Sequence, residues 1–504
     1  MKAKRQFTRG QARGLLWAVC ALLMVACAEG YDSPNGFDMG VRNAQMQSPD
    51  SVGFAVSADG KSAVVSWNLV PGADGHEVTF VNVDDPNNPV VIDGYENKVI
   101  DGSRFTVSVA EDCKYQLTIR TLGNKKLNNT DATEAKTFDL TTLVPKVATI
   151  PNGADIHEWW DAQQWDTLAY EVAIELEPGG FYTMSDTVDF AGHLFTFRGD
   201  KVNRPTVKIT GNGAFATYNG LKVKFINFDM TDATSGGFVC MTAKYNLPDR
   251  ILSENLGFSR NGNPITGIYN VLNPIYISQC WFKNLPHAML YANEVACAYW
   301  SFTVSDCIVQ MRNTTNSNIG FINLYNTGRQ VKNIVIENST IYNVVDNASA
   351  CFARYAVSES NTDPAKVFGD TSRELSSTSW RISNTTFSKC YTGWRWVNNV
   401  SGSGRTMTID HSIFYDVAQL YRVNSGSRTY RFNVLSSPRE DDIKRNSSMN
   451  DSGGAPFASV YDPKFRGDVT QELDFSKPNG GVDFTPQEAQ VIVNNVGDPR
   501  WLTK

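Results

Sequence analysis

The chain has 504 residues, 41% of them hydrophobic and 11% aromatic, and a formal net charge of −6. That length allows two or three domains with ordinary cores, and the mildly acidic balance excludes a nucleic-acid binder, which needs a basic field. Past Cys20 and Cys27 there are seven cysteines, an odd number with no Cys-x-x-Cys pair, so neither a disulfide framework nor a zinc site is expected.

The first element is an address. Lys2, Lys4, Arg5, Arg9 and Arg13 form a positive n-region, and Leu15 to Ala26 an apolar h-region that is too short to span a bilayer as a helix. The junction "LMVACAEG" resembles the lipobox of bacterial lipoproteins, with Met24 where that family has leucine. The resemblance implies a signal peptide over 1–26 and a lipidated Cys27 that anchors the mature chain in the outer membrane, facing outward. An ordinary secretory signal is the alternative. Residues 27–50 are small, polar and Gly-containing and read as a flexible tether. Glu29 and Asp32 within it resemble the acidic export tags of Bacteroidota surface lipoproteins.

Residues 51–142 carry short alternating runs, "SAVVSW", "HEVTFVN", "RFTVSVA" and "YQLTIRTLG", separated by turn residues. They predict a β-sandwich. "VVSWNLVPGADGHEVTFVN" resembles a fibronectin type III domain, with Trp67 as its core tryptophan and Tyr115 on a later strand. A module of this kind serves most often as a spacer.

From about residue 150 the sequence repeats itself. "IYISQCWFKNL", "FTVSDCIVQM", "IVIENSTIYNV", "WRISNTTFSKC" and "MTIDHSIFYDV" align without gaps on Ile277, Val304, Ile336, Ile382 and Ile409, at steps of 27, 32, 46 and 27 residues. Two residues after each anchor stands Gln279, Asp306, Asn338, Asn384 or His411, then a small residue, then an apolar one two positions on. The two apolar positions predict a core, each contributing roughly 1.5–3 kcal/mol when buried. The polar one predicts a tight bend, where Asn and Asp tolerate left-handed backbone. Stacked coils with such bends are the signature of a right-handed parallel β-helix, predicted over 150–504. "ADIHEWWDAQQW" predicts a helix capped by Asp155 that plugs the first coil, and the end from "YDPKFRGD" resembles the terminal caps of bacterial β-helix proteins. The fold class is therefore all-β: a fibronectin type III-like sandwich, then a β-helix with short capping helices.

Asp410 and His411 resemble the Trp-Ile-Asp-His stretch of pectate lyases, but their column is filled elsewhere by Gln and Asn, so scaffold explains them. The Arg-x-Pro-x-x-Arg stretch of those lyases is missing, as are a calcium-type acidic cluster and the Asp-Asp and Gly-His-Gly pairing of polygalacturonases. No catalytic residue, metal or cofactor is expected. A composite site drawn from several coils is the lyase alternative, and a purely structural surface protein a third. The second strand of each coil, "MLYANE", "INLYNT", "CFARYAV", "GWRWVNN" and "QLYRVNS", alternates aromatics with arginines. Tyr355, Trp394, Arg395, Trp396, Tyr421 and Arg422 are the candidate glycan contacts, because sugar rings stack on aromatics and arginine forks pair with carboxylates. The whole layout resembles Bacteroidota surface lipoproteins of a domain-of-unknown-function family linked to polysaccharide utilisation. That resemblance implies an acidic, pectin-like polysaccharide as ligand and a glycan transporter complex as a further partner.

Overall fold

The computed structural model describes residues 41–165, 170–292, 295–312, 320–324, 329–345, 351–355, 363–390, 397–398, 405–417, 427–436 and 458–502. The chain divides into two units, Met1–Leu143 and Val144–Lys504.

The first unit is a sandwich of a three-stranded and a five-stranded antiparallel sheet. Period-two alternation sends Ala63, Val65 and Trp67 of one sheet, and Tyr115, Leu117 and Ile119 of the other, into a shared core. Trp67 stands in that core, edge-on to His76 at 5.0 Å. The structure corrects the extent of the tether. Residues 41–50 belong to this unit, because Asn129 binds the Ala44 N–H and the Val41 carbonyl through its side chain. Met46 donates its N–H to the Thr130 carbonyl and is itself buried.

The second unit is a parallel β-helix. Its coils run through three parallel sheets, here faces I, II and III, with eleven, ten and seven strands among the described residues. The sequence repeat is the stacking register. On face I Ile277 pairs with Val304, Val304 with Ile336, Ile336 with Ile382, and Ile382 with Ile409. On face II Phe282, Val309, Ile341, Phe387 and Phe414 stack in the same way, Phe387 lying on Phe414 at 5.2 Å. All of these side chains are buried.

The bend between faces I and II is left-handed at every aligned coil: Gln279, Asp306, Asn338, Asn384 and His411 have φ of 52°, 56°, 50°, 48° and 45°. Phe225 and Phe432 extend the column at 61° and 49°, where a bulky residue is strained. The small residue after the bend has a second duty besides close approach. Ser339 donates its hydroxyl to the Glu337 carbonyl and accepts the Cys307 N–H of the preceding coil. Ser412 repeats this with the Asp410 carbonyl and the Thr385 N–H. Such bonds satisfy buried backbone groups at the corner, where the sheet ladders are interrupted, and contribute about 1 kcal/mol each. The cysteines at this position, Cys280 and Cys307, point their thiols at the equivalent carbonyls, those of Ser278 and Ser305. Cys113, Cys240, Cys280, Cys297, Cys307 and Cys390 are buried and form no disulfide.

The helix Ile156–Asp161 closes the first coil as expected: the Asp155 carboxylate accepts the His157 and Glu158 N–H groups, and Trp160 joins the solenoid core. The C-terminal segment departs from a simple end cap. The outward column of face II is largely apolar, running through Trp281, Ile308, Thr340, Thr386, Ile413 and Val434. Residues from 461 onward run back along it as a strap. Leu473, Val482, Phe484 and Trp501 pack on Ile308 and Tyr342, while Val491 and Val496 pack on Ile413 and Val434. A buried knot fixes the strap. Trp501 donates its indole N–H to Thr340 Oγ1 at 2.7 Å, Thr340 donates to the Asp498 carboxylate at 2.8 Å, and Arg500 pairs with Asp498.

Candidate functional site

Strand alternation decides the fate of the aromatic–arginine strip. On face III, Tyr291, Asn323 and Arg354 occupy one outward column. Leu290, Ile322 and Ala353 occupy the inward one and belong to the core. Tyr355 lies on the inward side with Ala353 and is fully buried. It is therefore corrected from a glycan contact to a core residue, with the buried Arg405 guanidinium over its ring at 5.9 Å. Cys27, Tyr325, Trp394, Arg395, Trp396, Tyr421 and Arg422 lie outside the described residues. Asp410 and His411 pair with each other, Oδ1 to Nδ1 at 2.7 Å, and the imidazole stacks on Phe432 at 4.9 Å. Among the described residues no group of three or more His, Cys, Asp or Glu is placed to hold a metal, and no helix is long and apolar enough to cross a membrane.

A second constellation arises where the repeat breaks. Between Val223 and Ile277, neighbours on face I, the chain spends 54 residues on one coil. Between Ile336 and Ile382 it spends 46. Both excursions leave at the corner from face III to face I, over 242–274 and 356–377. The first carries a hairpin, Ser259–Arg260 paired with Asn263–Pro264; the second carries the short helix Ala365–Phe368. They meet. Arg260 pairs with Asp363 at 2.8 Å, and the Asn261 N–H donates to both oxygens of Asp370 at 3.2 and 2.9 Å. Beneath them Ile265, Ile268, Ala298, Val367 and Phe368 form a small core of their own.

Where the excursions meet there is an open cleft of about 460 Å³, within the range of small-ligand sites. Arg260, Arg329 and Lys366 converge on it, Asn261, Asn263 and Thr266 add neutral polar groups, and Pro264, Ile265 and Ile268 supply an apolar floor. Burial holds the Arg329 guanidinium below its usual value, without approaching neutrality at pH 7. One layer behind, Lys332 fastens the second excursion to face I. Its ammonium donates to the Glu374, Leu375 and Ser377 carbonyls and lies over Trp300 and Phe368. The sequence reading missed this cleft. Its one visible trace was the polar stretch after Tyr355, and the longer insertion before Ile275 lies ahead of the five aligned repeats.

Residues 1–179 match the family described as a domain of unknown function, DUF4992, and residues 180–344 match a second domain of unknown function, DUF4957. The boundary between these matches falls inside the β-helix, past the division of the units at Leu143. No curated protein matches the sequence. Among solved structures, the chain is similar to a PL6 family alginate lyase, AlyGC, at 13% identity and a TM-score of 0.31, over 63% of this chain and 45% of that one. The chain thus spans under half the length of that lyase. It is also similar to the family 28 exopolygalacturonase of Yersinia enterocolitica, at 9% identity and a TM-score of 0.21, covering 77% and 80% of the two chains. A third is the pectate lyase PelI of Erwinia chrysanthemi in complex with tetragalacturonic acid, at 9% identity and a TM-score of 0.13, covering 78% and 91%.

Proposed function

We propose that this protein is an outward-facing outer-membrane lipoprotein, anchored through Cys27, that binds an acidic, pectin-like polysaccharide within a polysaccharide-utilisation system. The observation that carries the reading is the cleft. On a chain with a net charge of −6, three cations and three neutral polar side chains gather around an apolar floor. A uronate presents the matching chemistry: a carboxylate for Arg and Lys, hydroxyls for Asn and Thr, and C–H faces for the isoleucines. Binding needs no bond to break, and modest contacts suffice where one chain engages several surface copies, because linked sites raise effective concentration. Trp394, Trp396 and Arg395 belong to the same proposal as contacts along the chain.

Affinity electrophoresis of the mature protein tests it. Mobility should fall in gels containing polygalacturonate and stay unchanged in a neutral glucan gel, and added salt should weaken the retardation. Unchanged mobility in every acidic glycan refutes the reading. Steady growth of ultraviolet absorbance from unsaturated sugar ends would place the protein among the lyases instead.

A further inference from the structure

We propose that Lys366 is the specificity-determining cation that reads the ligand's carboxylate, with Asp363 and Asp370 as the positioning residues that present it. The inference rests on the glycan-binding reading and names the group that performs the recognition.

Like charges brought together are unfavourable unless something counters them. Of the cations on the cleft, Arg260 has the Asp363 carboxylate at 2.8 Å. The Lys366 ammonium makes no hydrogen bond, ion pair or ring contact among the described residues, yet it lines the same cleft as Arg260 and Arg329. With no counter-ion among the described residues and two guanidiniums on the same cleft, this ammonium suits an anion that arrives from outside.

The backbone around this lysine is held on both sides. Asp363 accepts the Ala365 N–H at 3.0 Å, starting the turn that carries Lys366. The next two residues, Val367 and Phe368, are fully buried against the first excursion. Gly369 then takes φ 97°, with its Cα so close to the hairpin that a Cβ would stand 2.8 Å from the Ser259 carbonyl oxygen. Asp370 closes the segment: its N–H donates to that same carbonyl, and its carboxylate accepts the Asn261 N–H. Asp363 and Asp370 thus flank Lys366 and fasten both sides of its short helix to the hairpin that forms the opposite wall. A compact ammonium carried on a fixed backbone is a point charge, suited to one carboxylate at a time.

The test uses the full mature protein with two probes, polygalacturonate and the same polymer with its carboxyl groups reduced to alcohols. Lys366→Met should weaken polygalacturonate binding about ten-fold, the effect of removing one charge-assisted hydrogen bond, and leave binding of the reduced polymer unchanged. Asp370→Asn should weaken polygalacturonate binding in the wild-type background and add nothing in the Lys366→Met background, since a positioning residue acts only through its partner. A melting temperature for each variant identifies one that fails to fold. Wild-type affinity in Lys366→Met, or equal losses from Asp370→Asn in both backgrounds, overturns the inference while the glycan reading stands. Failure of the wild-type protein to bind polygalacturonate overturns the reading itself.

Discussion

Trp501→Ala should release the C-terminal strap from face II without unravelling the coils beneath it. Trp501 is 4% exposed, lies 6.0 Å from the Phe484 ring, and holds Thr340 Oγ1 through its indole N–H. Truncating a buried tryptophan costs about 3–5 kcal/mol, of which the hydrogen bond supplies about 1 kcal/mol. The same change loosens the knot around Asp498, which is 1% exposed and accepts a hydrogen bond from the Thr340 hydroxyl. In a solenoid each coil contacts only its neighbours, so a strap spanning coils from Ile308 to Val434 is what couples them over a distance. Hydrogen exchange measured along face II reads the effect directly. Amides of Ile308–Met311, Thr340–Asn343 and Ile413–Tyr415 should exchange two to three decades faster in Trp501→Ala, and about five-fold faster in Trp501→Phe, which keeps the ring and loses the N–H. Face I amides should change little. Unaltered exchange on face II in Trp501→Ala would refute the account of the strap as an integral layer of the fold.

Three further outcomes are expected. Ile336→Asp places an unpaired carboxylate at a fully buried rung between Val304 and Ile382 and should cost several kcal/mol in urea unfolding, whereas Asn338→Ser, at a left-handed bend, should cost about 1 kcal/mol; equal stability of Ile336→Asp and wild type would void the coil register. In the sandwich, burial pushes the His76 imidazole down to about 4; the unfolded chain therefore binds more protons between pH 6.5 and 4, and stability present above pH 6.5 is lost as pH falls, by roughly 3 kcal/mol. Exchange of the Ala73–Asn82 amides should accelerate over that window in the wild type and not in His76→Gln. Metabolic labelling with an alkynyl fatty acid should mark the wild-type protein and not Cys27→Ala, and equal labelling of both would remove the lipid anchor from the proposal.

The β-helix was legible because its energetics repeat. Each coil needs an inward anchor, a residue that tolerates positive φ, a small hydrogen-bonding residue and a second inward side chain, and those four demands recur at fixed offsets from Ile277 to Ile409. The column's outer members were hidden because Phe225 and Phe432 hold the left-handed position with a residue type that avoids it. Tyr355 was misplaced for a different reason. A run such as "CFARYAV" shows that aromatics and arginines alternate, but the side facing the core depends on register with Ile322 and Leu324 of the neighbouring coil. The strap left a faint trace: Ile308, Ile413 and Val434 are apolar at outward positions, and an apolar outward column requires a cover.

The cleft was illegible for a reason that also explains where it lies. Inside the described coils anchors fill the core, and Asp410 and His411 are tied up at a bend. This cleft forms where the chain leaves its period. The first excursion enters face I at Ile275 and the second at Thr378, three rungs further along the sheet, a separation of about 14 Å at the usual spacing between strands. Loops of 33 and 22 residues easily cross that gap. Arg329 enters just ahead of the rung between them that begins at Val331. Residues 260, 329 and 366 are thus far apart in sequence and neighbours by rung, because stacking converts coil number into distance. Stacking brings these three corners together, and their cations then face a common space.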